Sequence, residues 1–189
     1  MEPEKMAIVG ITLVVAVVGL MVGASFLTFP SGTNDDDNQQ LTRTTQDTDL
    51  LDLGLEVPSN WGFEMSDGST LQLSDLEGQV VLVDLMATWC STCSTQNGYL
   101  STIAEDLSGT VVVVSLTVDT SETVSMMADY KTTKDLPWAH GVDDTHFLYY
   151  FSISSVPSMV LIDSNGLFRY FHVGLWSDVS ISTRVASIL

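Results

Sequence analysis

The stretch Val80–Cys93, VVLVDLMATWCSTC, carries an apolar run straight into the chain's only two cysteines. VVLVDLM has the length and composition of a parallel strand buried on both faces. Cys90 and Cys93 follow it at C-x-x-C spacing. Such a pair can act as a static staple, as half of a metal site, or as a dithiol that opens and closes. As a staple it is weak, because a loop this short removes little entropy from the unfolded chain. A zinc site needs two further ligands, and the chain has 3 histidines, His140, His146 and His172. Their H-x5-H spacing falls outside the usual zinc pattern, so no metal is expected. Redox chemistry fits the setting better. A strand that ends at a helix start places Cys90 near unpaired backbone N–H groups and the positive end of the helix dipole, which favours the attacking thiolate. Cys93, one turn on, is within reach of a mixed disulfide on Cys90.

Downstream, Tyr99, Leu100, Ile103, Ala104 and Leu107 recur at helical spacing, and Gly109 suits the helix end. VVVVSLTV (111–118) reads as a second buried strand. Thr120 or Ser121 is expected to cap a helix running to about Lys131, with Val124, Met127 and Ala128 inward. Trp138–Val142 reads as a strand and THFLYYF as a short helix. SMVLID and LFRYFHV flank the turn Ser164-Asn165-Gly166, a hairpin, and Ser177 caps a last helix bearing Val179, Ile181, Val185 and Ile188. Tyr149-Tyr150-Phe151 and Met126-Met127 read as core or half-buried packing. Upstream, FEMSDGSTLQL forms two short strands around Asp67-Gly68. Alternating strands and helices that end in an antiparallel hairpin define an α/β fold with a mixed sheet.

Residues 6–29 contain no charged side chain and are long enough to cross a bilayer of about 30 Å as a helix. The rival reading is a cleaved signal peptide ending near Val22-Gly23-Ala24, but the apolar run exceeds a usual signal core. Lys5 precedes the span and the acidic SGTNDDDNQQ follows it, which places residues 1–5 in the cytoplasm and the rest outside. Residues 30–57 are polar and acidic, a tether of about 30 Å mean span, with Leu50, Leu51, Leu53 and Leu55 able to dock on the domain at 58–189. The net charge is −18, from 24 acidic and 6 basic residues. No basic patch exists to displace counterions from phosphates, so nucleic acid is not an expected partner.

VVLVDLMATWCSTC resembles the active-site strand and turn of thioredoxins. FEMSDGSTLQLSDLEGQ is similar to the lead-in of the membrane-anchored TlpA/ResA-type branch, which includes cytochrome c maturation thioredoxins. Val156-Pro157-Ser158 before SMVLIDSNG supplies a third match. The resemblance covers about residues 58–189 and implies a thioredoxin-like fold and thiol–disulfide exchange with protein clients, with no cofactor beyond the Cys90–Cys93 pair. It further implies a cis Pro157 beside the disulfide, pairing of the Val156 edge with a client, and Trp89 shielding the site. Clients and a membrane electron carrier are the expected partners.

Asp84 lies within the buried strand, where burial raises a carboxyl pKa. The resemblance matches it to the thioredoxin aspartate that assists proton transfer at the sheltered cysteine; a hydrogen-bonded polar pocket is the alternative. Asp119 or Glu122 stands where the anchored branch keeps a carboxylate, although ordinary helix-start acidity is the preferred expectation. Thr92 replaces a common proline, Ser94 a common basic residue, and Leu85-Met86 an aromatic pair, so Ser91 and Thr92 are expected to tune the potential. A thiol peroxidase would share the fold but need a different cysteine setting and an arginine. A copper chaperone of related fold would use C-x-x-x-C and a histidine.

Overall fold

The computed structural model describes residues 54–189. The charge-free span 6–29, Leu50, Leu51 and Leu53 lie outside these residues. Among the described residues no helix is long and apolar enough to cross a membrane.

Strand β1 (Leu55–Glu56) is followed by β2 (Gly62–Glu64) and β3 (Thr70–Gln72), a short 3-10 turn at Leu73–Leu76, and β4 (Val80–Met86). Then come α1 (Ser91–Asp106), β5 (Val111–Thr117), α2 (Val124–Lys134) and β6 (Ala139–Val142). The chain closes with α3 (His146–Tyr150), β7 (Ser158–Ile162), β8 (Leu167–Val173) and α4 (Asp178–Ala186). The main sheet has the order β1-β8-β7-β4-β5-β6. Strand β4 runs parallel to β5 and antiparallel to β7, so the sheet is mixed as expected. Leu55 and Glu56 pair with Phe168 and Leu167 of β8, so sheet structure begins within the stretch read as tether.

Every residue of β4 is buried, because the sheet is covered on both faces. Val80, Leu82 and Met86 join α1, α2 and α4 through Leu100, Ile103, Met127, Ile181 and Val185 in one apolar layer. Val81, Val83 and Leu85 face a second layer that contains Trp61, Phe63, Leu73 and Phe147. The alternation follows from the two-residue period of a strand. Strand β6 is an edge, and the β2–β3 hairpin shields part of it: Met65 bridges Gly141, and Ser66 N–H donates to the His140 carbonyl at 2.7 Å.

Three expectations need correction. Helix α2 is capped by Thr123, whose hydroxyl accepts from Met126 N–H, and not by Thr120 or Ser121. It extends past Lys131 to Lys134, where Asp135 adopts φ 54 and ends it. Tyr149 is 73% exposed, and Tyr150, Met126 and Val179 are exposed as well; of the clusters read as packing, Met127 is buried and Phe151 partly buried.

Candidate active site

The buried run of β4 ends at Met86, and the loop Ala87–Trp89 turns the chain into α1. Cys90 is the residue that caps this helix: its Sγ accepts the backbone N–H of Cys93 at 3.1 Å. The two cysteines are joined in a disulfide. A sulfur in this place meets the unpaired N–H groups of the first turn and the positive end of a 16-residue helix. The Thr92 hydroxyl lies 3.5 Å from the same sulfur. Both cysteines are buried, Cys90 at 5% exposure and Cys93 at 1%, yet Cys90 alone lines a surface groove of about 550 Å³.

The other wall of that groove contains Ile153 and Val156. The Val156–Pro157 peptide is cis, and the Val156 carbonyl oxygen lies 3.8 Å from Cys90 Sγ. Strand β7 starts directly after it, so the sheet fixes this backbone beside the sulfur. Trp89 stands out from the rim at 70% exposure. Its indole N–H donates to Asp119 at 2.7 Å, while the other Asp119 oxygen accepts both the N–H and the hydroxyl of Ser121. The Ser121 hydroxyl, then the Trp89 indole, hold the Asp119 carboxyl below the usual carboxylate range.

Glu122 corrects the expectation of helix-start acidity. It precedes the cap of α2, is buried, and turns back to the active-site loop. Its carboxyl accepts the Thr88 N–H at 2.9 Å, the Thr88 hydroxyl, and the Thr117 hydroxyl at 2.5 Å. The loop before Trp89 is thereby pinned to the end of β5. The partners stand 34 residues apart in sequence, and local pattern carries no signal of such a link.

Asp84 is 1% exposed at the centre of β4, on the face that carries the cysteines. Its Oδ2 accepts the Ser115 hydroxyl at 2.8 Å, and Ser115 in turn accepts the Trp138 indole N–H at 2.9 Å. Burial pushes the Asp84 carboxyl up to about 7, against the smaller opposing effect of Ser115. Asp84 makes no hydrogen bond to Cys93, whose sulfur carries no proton in the disulfide. Two polar side chains of α1 are also buried: Gln96 exchanges hydrogen bonds with the backbone of Trp176, and Asn97 donates to Tyr130. Among the described residues no group of three His, Cys, Asp or Glu side chains is placed to hold a metal.

A Cys-x-x-Cys disulfide at a helix start, beside a cis-proline strand in a mixed sheet, defines a thioredoxin-like thiol–disulfide oxidoreductase. The chain belongs to the Redoxin family, whose profile matches residues 30–180. It is 33% identical over 106 residues to the thiol-disulfide oxidoreductase ResA of Oceanobacillus iheyensis, covering 54% of each chain. With ResA of Bacillus cereus the identity is 25% over 121 residues, 64% of this chain and 69% of that one. Among solved structures, a thioredoxin family thiol:disulfide interchange protein from Chlorobium tepidum superposes with a TM-score of 0.63 at 20% identity. That match covers 71% of this chain and 96% of the other, and bears on the fold alone.

Proposed function

We propose that this oxidoreductase is anchored in a membrane by residues 6–29 and exchanges disulfides with protein clients outside the cytoplasm. The observation that carries the exchange chemistry is that Cys90 Sγ caps α1 by accepting the Cys93 N–H, with Cys90 on the groove and Cys93 buried behind it. The Cys90 thiolate attacks a client disulfide, one client sulfur leaves as a thiol, and a mixed disulfide remains. Cys93 then gives its proton to the Asp84 carboxylate and attacks Cys90 Sγ, releasing the second client thiol. Two electrons pass from the cysteine pair to the client. The reverse sequence oxidises a client dithiol, and relative potentials set the direction.

Asp84 suits the proton step because burial brings its titration close to neutrality. Val156 and the cis Pro157 offer backbone for an extended client segment, while Trp89 at the rim presents its exposed ring to that segment. Ser91 and Thr92 tune the potential, Thr92 through its contact with Cys90 Sγ. A membrane dithiol carrier exchanges electrons with the pair between clients.

The test is to equilibrate the full chain in dithiothreitol or glutathione buffers while trapping free thiols. A single two-electron transition supports the reading, and a pair that never cycles contradicts it. Labelling Cys90 in intact cells with a membrane-impermeant thiol reagent after reduction tests the sidedness. Label found only after lysis contradicts an external domain.

A further inference from the structure

The register of the main sheet aligns Asp84 of β4, Ser115 of β5 and His140 of β6 in one row across three neighbouring strands. Residues paired in register point to the same face, here the face that carries Cys93. His140 is 1% exposed. Its Nδ1 lies 3.0 Å from the Trp138 carbonyl oxygen, which only accepts, so Nδ1 carries the hydrogen and Nε2 presents a lone pair. Nε2 has no partner, and neither does Asp84 Oδ1. Two buried atoms on one row are thus left open, one an acceptor and the other a donor whenever Asp84 is protonated. Ser115, which stands between them, gives its hydroxyl hydrogen to Asp84 Oδ2 and accepts from Trp138, leaving it one further lone pair. Asp84 and His140 are two strand spacings apart, about 10 Å between Cα atoms, a separation that one bridging water between the side chains can span.

We propose that Asp84, Ser115 and His140 hold a buried water, through which His140 Nε2 accepts a hydrogen bond from the carboxyl that forms when Asp84 takes the Cys93 proton. The inference rests on the Asp84 step of the proposed function. His140 is a positioning residue here: it touches neither client nor cysteine and acts through Asp84. The proton leaves Cys93 Sγ, resides on Asp84 Oδ1, and is stabilised there by the hydrogen bond it donates through the water. No further oxidant or reductant enters. The titratable groups that face the row are Cys93 from α1, Tyr130 and Lys131 from α2, and His172 from β8, which pairs with Met159 next to Asp84. Burial first, with the Lys131 charge in support, keeps His140 neutral. A neutral imidazole is what an acceptor requires.

The test uses the full chain in wild-type, Asp84→Asn, His140→Phe and His140→Gln forms. Infrared difference spectra between oxidised and reduced protein report the protonated carboxyl band, which Asp84→Asn assigns. In His140→Phe the band is expected to shift to higher frequency, and the exchange rate to fall about tenfold on the limb where proton transfer limits it. His140→Gln, which restores an acceptor, is expected to recover both. An unmoved band and an unchanged pH profile in folded His140→Phe overturn the inference while leaving Asp84 in place. No change of rate or profile in Asp84→Asn overturns the Asp84 step and this inference together. Should His140→Phe not fold, the nitrogen resonance of wild-type His140 Nε2 decides. It is expected to shift as Asp84 titrates and to stay fixed in Asp84→Asn; a resonance that ignores Asp84 overturns the inference.

Discussion

Glu122 grips Thr88 by both its backbone N–H and its hydroxyl, and holds Thr117 with the same carboxyl. The loop that presents Trp89 and Cys90 is therefore fixed by a side chain from the connection between β5 and α2. Glu122→Ala leaves these donors without their acceptor, at roughly 1–3 kcal/mol for each one that stays buried. A lower denaturation midpoint and faster amide exchange at Thr88 are expected. Exchange at Thr88 that matches the wild type would show that the loop is held by something else.

Asp119 and Trp89 give a second, spectroscopic handle. Because hydrogen bonds from Ser121 and Trp89 depress the Asp119 carboxyl, the indole contact persists as pH falls and is lost only below the ordinary value of 3.8. The Trp89 contribution to fluorescence is expected to stay constant from neutral pH to about 4 and to change below it. Asp119→Asn removes that acid step. A step that survives the substitution assigns it to another carboxyl.

Asp84 and His140 predict opposite pH slopes in the stability of the oxidised protein. The folded chain keeps Asp84 protonated up to about 7, whereas the unfolded chain releases that proton near 3.8, so stability falls as pH rises between them. Folded His140 refuses a proton until about 4, while the unfolded residue binds one below 6.5, so over that window stability rises with pH. The two slopes offset one another where the windows overlap. Asp84→Asn should expose the rising slope and stabilise the oxidised protein above pH 7 by up to about 4 kcal/mol, while slowing exchange. His140→Phe should expose the falling slope. Unchanged profiles in urea titrations across this range would remove both assignments.

Gly141 marks where the hairpin meets the edge of the sheet. A Cβ there would lie 2.6 Å from the Glu64 carbonyl oxygen and 2.7 Å from Met65 Sδ. Gly141→Ala is expected to cost about 1–3 kcal/mol by pushing the hairpin off β6. Thermal melts equal to wild type would show that the hairpin yields freely.

The fold was legible where local pattern and tertiary context agree. The uninterrupted apolar run marked Val80–Met86 to the residue, and Ser177 marked the start of α4 through its own side chain. Ser164-Asn165-Gly166 marked the last hairpin for a similarly local reason. The start of α2 falls at Thr123 and not at Thr120 or Ser121, although all three are competent caps. Asp119 decides among them by drawing Ser121 into its own turn. The cysteine pair and Pro157 were readable from spacing and resemblance. The resemblance offers Glu122 as a carboxylate near the site, but not its hold on Thr88; Gln96 and His140 carry no such signal, since each acquires its role from partners on other elements, Trp176 and the row through Ser115. The aromatic run at Tyr149 offers no periodicity strong enough to separate an exposed ring from a buried one.

The assignment of Cys90 as the attacking sulfur and Cys93 as the resolving one is tested most directly by trapping. A reduced Cys93→Ser full chain, mixed with an oxidised client or glutathione disulfide and resolved without reductant, is predicted to accumulate mixed disulfides through Cys90. The matching Cys90→Ser chain is predicted to accumulate almost none. Mixed disulfides that form on Cys93 in the Cys90→Ser chain, and fail to form in the Cys93→Ser chain, would contradict the account.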